Sequence, residues 1–251
     1  MTDIQAGVIV PDWPAPPAVH AAVTTRRLAG HSAPPYDACN LGLNSGESAA
    51  TVLANRDFVR ERLGLPAMPV WLRQVHGTAV HVARIADRAG SPPEADAAYT
   101  DEPGVVLAIL TADCLPLLAA SDDGREVAAI HAGWRGLCAG AIEAAIAHFR
   151  APPDRLLVWL GPAIGAVSYE VGDEVRTAFQ SHDPAAIQAF EPTRPGHWHC
   201  DLYRLARQRL ARLGVMRVSG GGFDTCADPR FYSFRRDAAA SGRFASLIWR
   251  D

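Results

Sequence analysis

Apolar and polar positions alternate in short blocks along this chain, and the blocks predict a series of strands and helices. Gly7–Val10 (GVIV) reads as a short strand before a Pro-rich lead-in, and Val19–Thr25 (VHAAVTT) as the next strand. Ser48–Leu63 predicts a helix, with Val52, Phe58, Val59 and Leu63 near helical spacing, Ser48 as N-cap and Gly64 as the stop. Val70–Ile85 predicts two short strands around His76-Gly77, followed by a polar connector over Ala86–Tyr99. Val105–Leu110 and Glu126–His131 are almost wholly apolar, which predicts central strands covered on both faces. Leu137–Phe149 predicts an Ala-rich helix with Ile142, Ile146 and Phe149 inward, and Gly136 and Gly140 allow a close approach to the sheet. Leu156–Leu160 is a further strand, closing on a turn at Pro162 and Gly165. A helix starts over Asp173–Phe179, Pro184–Trp198 reads as irregular, and Asp201 caps a helix that Gly214 ends. Val215–Ser219 and Phe244–Trp249 complete the strands. Strands interleaved with helices point to an α/β (α+β) fold, and the absence of repeats or linkers to one domain over 1–251.

One segment breaks the pattern. Arg26–Ser48 is a long polar loop punctuated by Gly and Pro, and loops of that length are commonly functional or disordered. Arg26, Arg27, Tyr36 and Asn40 are its residues able to contact a ligand, and they are equally able to be ordinary surface residues.

Composition narrows the function classes. The 251 residues are 49% hydrophobic and 20% charged, with net charge −3, so no basic field points to nucleic acid. No apolar run reaches the ~18 residues that span a bilayer, and the N-terminus lacks a basic segment followed by an apolar one. Five scattered cysteines, an odd number with no CxxC, read as thiols of a cytoplasmic protein.

The candidate chemistry lies in Thr111–Gly136. Cys114 and His131 each stand where an apolar run gives way to a turn, and His76 has a similar setting before Gly77. Side chains at strand ends face clefts in α/β proteins. Two imidazoles and one thiolate make an open three-ligand zinc site, with a fourth position for water or substrate. The same trio also permits a thiolate nucleophile, Cys114, with His131 or His76 as its base. Asp113 alternates with Cys114 along a strand and reads as a supporting or turn residue.

The remaining candidates are weaker. Cys138 reads as a core thiol, and Cys39 and Cys226 lie in loops. The tract His197-Trp198-His199-Cys200 looks like a metal motif but leads straight into the Asp201 cap. Nine histidines with one HxH pair do not supply a multicopper oxidase. Arg135, Arg235, Arg236 and Arg243 are candidates to hold an anion, since the guanidinium fork matches phosphate, or to make structural salt bridges.

RQVHG (73–77), TADCLP (111–116), HAGWRG (131–136), LGPAIG…YEVG (160–172) and FYSFRRD…SGR (231–243) together resemble the YfiH-like laccase-domain family. The similarity extends from TTR (24–26) and NLGLN (40–44) to the C-terminal strand. Two departures stand out: RLAGHS after TTR, where relatives have a Gly-Gly turn, and Cys226-Ala227, where they have Cys-Thr. The resemblance implies a four-layer α/β/β/α sandwich with mixed β-sheets, similar to the catalytic domain of cytotoxic necrotizing factor. It implies a metal on His76, Cys114 and His131, zinc as a rule with copper possible, the same three being catalytic. It implies phosphate-dependent cleavage of adenosine, inosine and methylthioadenosine, with adenosine deamination as a side activity. Phosphate and substrate would be held by residues such as Arg135, Asn40, Arg26 and Arg235. A monomer or small homo-oligomer in the cytoplasm, acting on small molecules, is expected. The rival expectations are a Cys–His hydrolase that edits serine-containing peptidoglycan precursors, and a metal-binding protein without turnover.

Overall fold

Alternation of buried positions builds two sheets that share a core, in a computed structural model that describes residues 7–89 and 91–251. The first six residues of the N-terminal stretch and Gly90 of the polar connector lie outside it. In chain order the first elements are β1 (Val8–Ile9), β2 (Val19–Thr24), α1 (Ala49–Arg62), β3 (Val80–Val82), β4 (Ala97–Thr100), β5 (Leu107–Thr111), β6 (Leu115–Ser121) and β7 (Val127–Ala132). Then come α2 (Trp134–Ala139), α3 (Ala141–Ile146), β8 (Leu156–Leu160), β9 (Glu170–Gly172), α4 (Asp173–His182), β10 (Phe190–Arg194) and β11 (His197–Cys200). The last are α5 (Leu202–Arg212), β12 (Arg217–Gly220), α6 (Phe234–Asp237) and β13 (Phe244–Arg250).

A mixed six-stranded sheet runs β12-β8-β6-β7-β4-β3, a four-stranded antiparallel sheet β1-β2-β13-β5, and a small third sheet β10-β11-β9. Strand β6 shows how period two makes the layers. Leu115, Leu117 and Ala119 join a core with Leu137, Ile142, Val175 and Leu205 from the helices, whereas Leu118 and Ala120 face Val23, Leu107, Ile109 and Phe244 of the other sheet. The outer face of the four-stranded sheet, through Ala22, Ala108 and Leu247, packs on Leu41, Val59 and Trp71. The architecture is therefore mixed α/β with mixed sheets.

Several sequence expectations are corrected. Val105–Leu110 and Glu126–His131 do form covered strands, β5 and β7, but these belong to different sheets that stack on one another. The strand between β7 and β8 in the six-stranded sheet is β6, which the apolar pattern around Cys114 had concealed. The helix expected over Leu137–Phe149 starts earlier and is split, because Gly140 adopts φ +103 between α2 and α3. The connector at 86–99 contains a 3-10 turn at Ile85–Ala89 and the first three residues of β4, whose four small or aromatic residues are all buried. The irregular stretch holds a hairpin, β10–β11, turned by Gly196 at φ +73. Only one strand, β3, forms over Val70–Ile85; Val70 and Arg73 make isolated bridges, and His76 lies in a bend. Ser48 does precede α1, yet its side chain makes no cap hydrogen bond; Asp201 caps α5 by accepting from the Arg204 amide at 2.9 Å.

Candidate metal centre

Three segments distant in sequence meet at one end of the six-stranded sheet. Strands β6 and β7 are antiparallel, with Pro116 opposite His131, so Cys114 at the start of β6 falls beside the His131 end of β7. Strand β4 flanks β7 with Ala97 opposite Ile130, which brings Asp96 beside His131. His76 arrives on the bend that precedes β3 and holds a left-handed backbone, φ +62.

The three candidate ligands converge. Their donor atoms all lie within 4.8 Å of one another, and among the described residues they form the only group of three or more such ligands. Cys114 Sγ is 3.8 Å from His76 Nε2, and the two imidazoles cross at 72° with centroids 4.8 Å apart. His131 is buried, Cys114 half-buried and His76 exposed, so the cluster opens to solvent on the His76 side. Gly133, at the start of α2, is demanded by packing: a Cβ there would come within 2.8 Å of His76 Cδ2 and 2.9 Å of Cys114 Sγ.

Asp96 ties the cluster together. It is fully buried and accepts from His131 Nδ1 at 2.8 Å, from the His76 amide at 2.9 Å and from the Gly77 amide at 2.6 Å. With Nδ1–H committed to the carboxylate, His131 keeps Nε2 free as a ligand. Burial works to raise the Asp96 carboxyl, but His131 and the amide donors outweigh it and hold it below the ordinary carboxylate range. Burial likewise opposes ionisation of Cys114, yet the adjacent imidazoles win and draw the thiol well below its ordinary value. The partner effect, Cys114 and Asp96 against burial, lifts His131. A poised thiolate, two imidazoles and a carboxylate behind one of them make a donor set that suits zinc, with copper a second option for such ligands. The residues present therefore fit a single metal ion.

The other predicted residues have plainer positions. Asp113 does occupy a turn, at φ +90, where its carboxylate accepts from Thr225 Oγ1 at 2.7 Å and the Arg235 amide at 2.6 Å. Arg235 lies over the Tyr169 ring and donates Nη1–H to the Glu170 carbonyl. Arg135 is exposed and lies over Trp134, its side chain making no hydrogen bond among the described residues. Arg26 is engaged with Asp37 at 2.9 Å and Asp237 at 3.6 Å, and Arg236 with Asp237. Asn40 is fully buried, donates to Ser45 Oγ and Glu47 Oε2, and accepts from the Gly42 and Arg243 amides. Arg27 is exposed, and Tyr36 offers its carbonyl to the Tyr232 hydroxyl. His197, His199 and Cys200 form no such group among the described residues, and burial pushes the Cys200 thiol up. Cys39 and Cys138 are buried thiols, also raised by burial. In sequence Asp96 reads only as an acid before a small-residue turn, with no role in the site; its one signal is a carboxylate set between alanines, EADAAYT.

Known proteins are similar to this chain over nearly its whole length. Residues 20–251 match the family described as multi-copper polyphenol oxidoreductase laccase. A protein of Xylella fastidiosa (strain Temecula1) named purine nucleoside phosphorylase is 49% identical over 99% of both chains. Purine nucleoside phosphorylase YfiH of Escherichia coli (strain K12) is 46% identical, over 96% of this chain and 98% of its own. The solved structure of Neisseria meningitidis protein NMB0706 superposes with a TM-score of 0.92 at 43% identity, covering 98% and 99% of the two chains. Identity of this order over nearly the full length, around one His–Cys–His cluster, means that the chain belongs to the YfiH-like, laccase-domain family.

Proposed function

We propose that this chain is a zinc-dependent purine nucleoside phosphorylase that cleaves adenosine, inosine and methylthioadenosine. The observation that carries the reading is the convergence of His76, Cys114 and His131 at an open, solvent-facing corner. The purine and the phosphate come from the names of relatives aligned over 96–99% of the chain. His76, Cys114 and His131 would hold the metal. When bound, zinc supplies Lewis acidity and lowers the pKa of water. In phosphorolysis a phosphate oxygen bonds to C1′ of the ribose, the C1′–N bond breaks, and the base leaves with that electron pair and takes up a proton. The Arg235 amide is bonded to Asp113 and Arg135 follows His131 by four residues, which makes both candidates for the anion. Asp96 keeps His131 in one tautomer and supports the His76 bend. Adenosine deamination, in which water adds at C6 and ammonia leaves, would be a side activity of the same centre.

Finer expectations follow from the same reading. The order helices, six-stranded sheet, four-stranded sheet, α1 supports a four-layer α/β/β/α sandwich in one domain over 1–251. Five unpaired thiols favour the cytoplasm, and no helix among the described residues is long and apolar enough to cross a membrane.

The test is metal content by elemental analysis together with adenine release from adenosine, with and without phosphate, for wild type and Cys114→Ala. Zinc near one per chain and phosphate-dependent release, both lost in the variant, is the expected result. Full activity in Cys114→Ala overturns the reading. One observation favours a second reading, a metal-free Cys–His hydrolase: Cys114 is already drawn toward thiolate by its histidines. In that case an alkylating agent abolishes activity and a chelator leaves it intact.

A further inference from the structure

Arg243 is built into the wall of this site in a way that no other arginine among the described residues is. It immediately precedes β13, whose Phe244 is paired with Thr111, so Arg243 runs alongside the Ala112-Asp113-Cys114 turn. Its backbone is pinned from both sides. The amide donates to Asn40 Oδ1 at 2.8 Å, and its carbonyl accepts from the Leu41 amide at 3.0 Å. Its stem is gripped by Gly42, where an added Cβ would come within 2.6 Å of Arg243 Cγ. At the head, Nη1 donates to the Ser241 and Gly242 carbonyls, each at 2.8 Å, and the guanidinium lies 5.8 Å from the centre of the exposed Phe234 ring. Among the described residues, Nε and Nη2 have no acceptor and no carboxylate pairs with the charge.

That is an unusual state for a largely enclosed cation. Burial works against its charge, and the nearby Cys114 and Asp113 work for it. The two oxygens of Asp113 accept from Thr225 and the Arg235 amide, and neither accepts from the Arg243 guanidinium. Neither Nε nor Nη2 of Arg243 is sealed from solvent, so an anion that enters with the substrate can reach both. The other arginines lack one of these features. Arg26 and Arg236 are paired with carboxylates, Arg135 is exposed and held among the described residues only by Trp134, and Arg235 is turned toward the Glu170 carbonyl.

We propose that Arg243 is the anion-binding residue of this site, receiving a tetrahedral oxyanion through Nε–H and Nη2–H beside Cys114. The fork geometry suits two oxygens of one phosphate. That the anion is inorganic phosphate rests on the phosphorylase reading above. Asn40, buried and without a free donor, enters through its hold on the Arg243 backbone.

The experiment titrates inorganic phosphate calorimetrically into zinc-loaded wild type, Arg243→Ala, Arg243→Lys and Arg135→Ala, and measures KM for phosphate and for adenosine in each. Loss of a bidentate charged contact is expected to weaken phosphate in Arg243→Ala by roughly 10- to 100-fold. Zinc content and KM for adenosine stay within about twofold of wild type, since these contacts are not made by Arg243. Arg243→Lys, which keeps the charge and loses the fork, falls between the two. Guanidinium ions added to Arg243→Ala recover part of the phosphate affinity, which a merely structural role would not produce. Phosphate binding within twofold of wild type in Arg243→Ala, or a loss found in Arg135→Ala instead, overturns the proposal. So does a wild type that binds no phosphate. If Arg243→Ala fails to fold, Arg243→Lys decides: unchanged phosphate affinity overturns the proposal, and selective weakening supports it. Phosphate binding that depends on Arg243 without any release of base would sink the phosphorylase reading and leave this assignment standing.

Discussion

Replacing Asp96 should damage both the fold and the metal affinity, and the two effects can be separated. The carboxylate is fully buried and accepts three short hydrogen bonds, from His131 Nδ1, the His76 amide and the Gly77 amide, with a longer one from the Val75 amide at 3.2 Å. In Asp96→Ala these donors lose their acceptor. His131 is itself buried, so water cannot replace the carboxylate there, whereas the amides lie on an exposed bend that water can reach. One fully orphaned donor and two or three partly rehydrated ones amount to about 3 kcal/mol, each orphan being worth about 1–3 at full burial. For a chain of this length that corresponds to a fall of about 6–12 °C in melting temperature. Asp96→Asn preserves size but turns one oxygen into a donor facing donors, so no cavity confuses its result. Metal affinity should drop about 10- to 100-fold in both, because the His131 tautomer and the His76 bend are no longer held. Chelator competition measures the affinity, and melting of the metal-free protein measures the stability. The sign with pH follows. A carboxyl held below its unfolded value, about 3.9, contributes stability above that pH, and the contribution is lost as pH falls through the folded value. Wild type should therefore lose stability on acidification that Asp96→Asn has already lost. An Asp96→Asn protein with metal affinity within twofold of wild type and an unchanged melting curve would refute the argument.

Two further outcomes follow from the same geometry. In metal-free protein, alkylation of Cys114 by iodoacetamide should follow a pH profile whose midpoint lies below that of an ordinary thiol, about 8.5, because the imidazoles favour its thiolate; bound metal should suppress the reaction, and a midpoint at the ordinary value would contradict the site's electrostatics. Gly133→Ala should lower metal affinity at least tenfold while the fold survives, since its Cβ would press on both His76 and Cys114 rather than on the core; elemental analysis and circular dichroism would show it, and a fully metal-loaded variant would mean the site yields easily.

The parts of this protein that were legible in the sequence are those whose local chemistry decides their structure. Asp201 and Gly214 bound α5, Gly64 stops α1, and the apolar runs of β5, β7 and β8 are buried as their composition requires. Cys114, His131 and His76 could be singled out because each interrupts an apolar or turn context with a reactive side chain. What stayed hidden depends on pairing across the chain. Val105–Leu110 and Glu126–His131 look alike in sequence, yet one joins each sheet, and nothing local encodes which. Asp96 illustrates the same limit at the site. It is flanked by small residues, and its importance arises only when Ala97 pairs with Ile130 and the His76 bend folds over it. In sequence Arg243 ranks behind Arg135 and Arg235 as an anion holder, and only the Phe244–Thr111 register places it beside the Asp113-Cys114 turn. The chemistry of the site is thus written in single residues, while its geometry is written in strand register. The acid just before a small-residue strand and the arginine just before an apolar one are the features by which that geometry could next be sought in sequence alone.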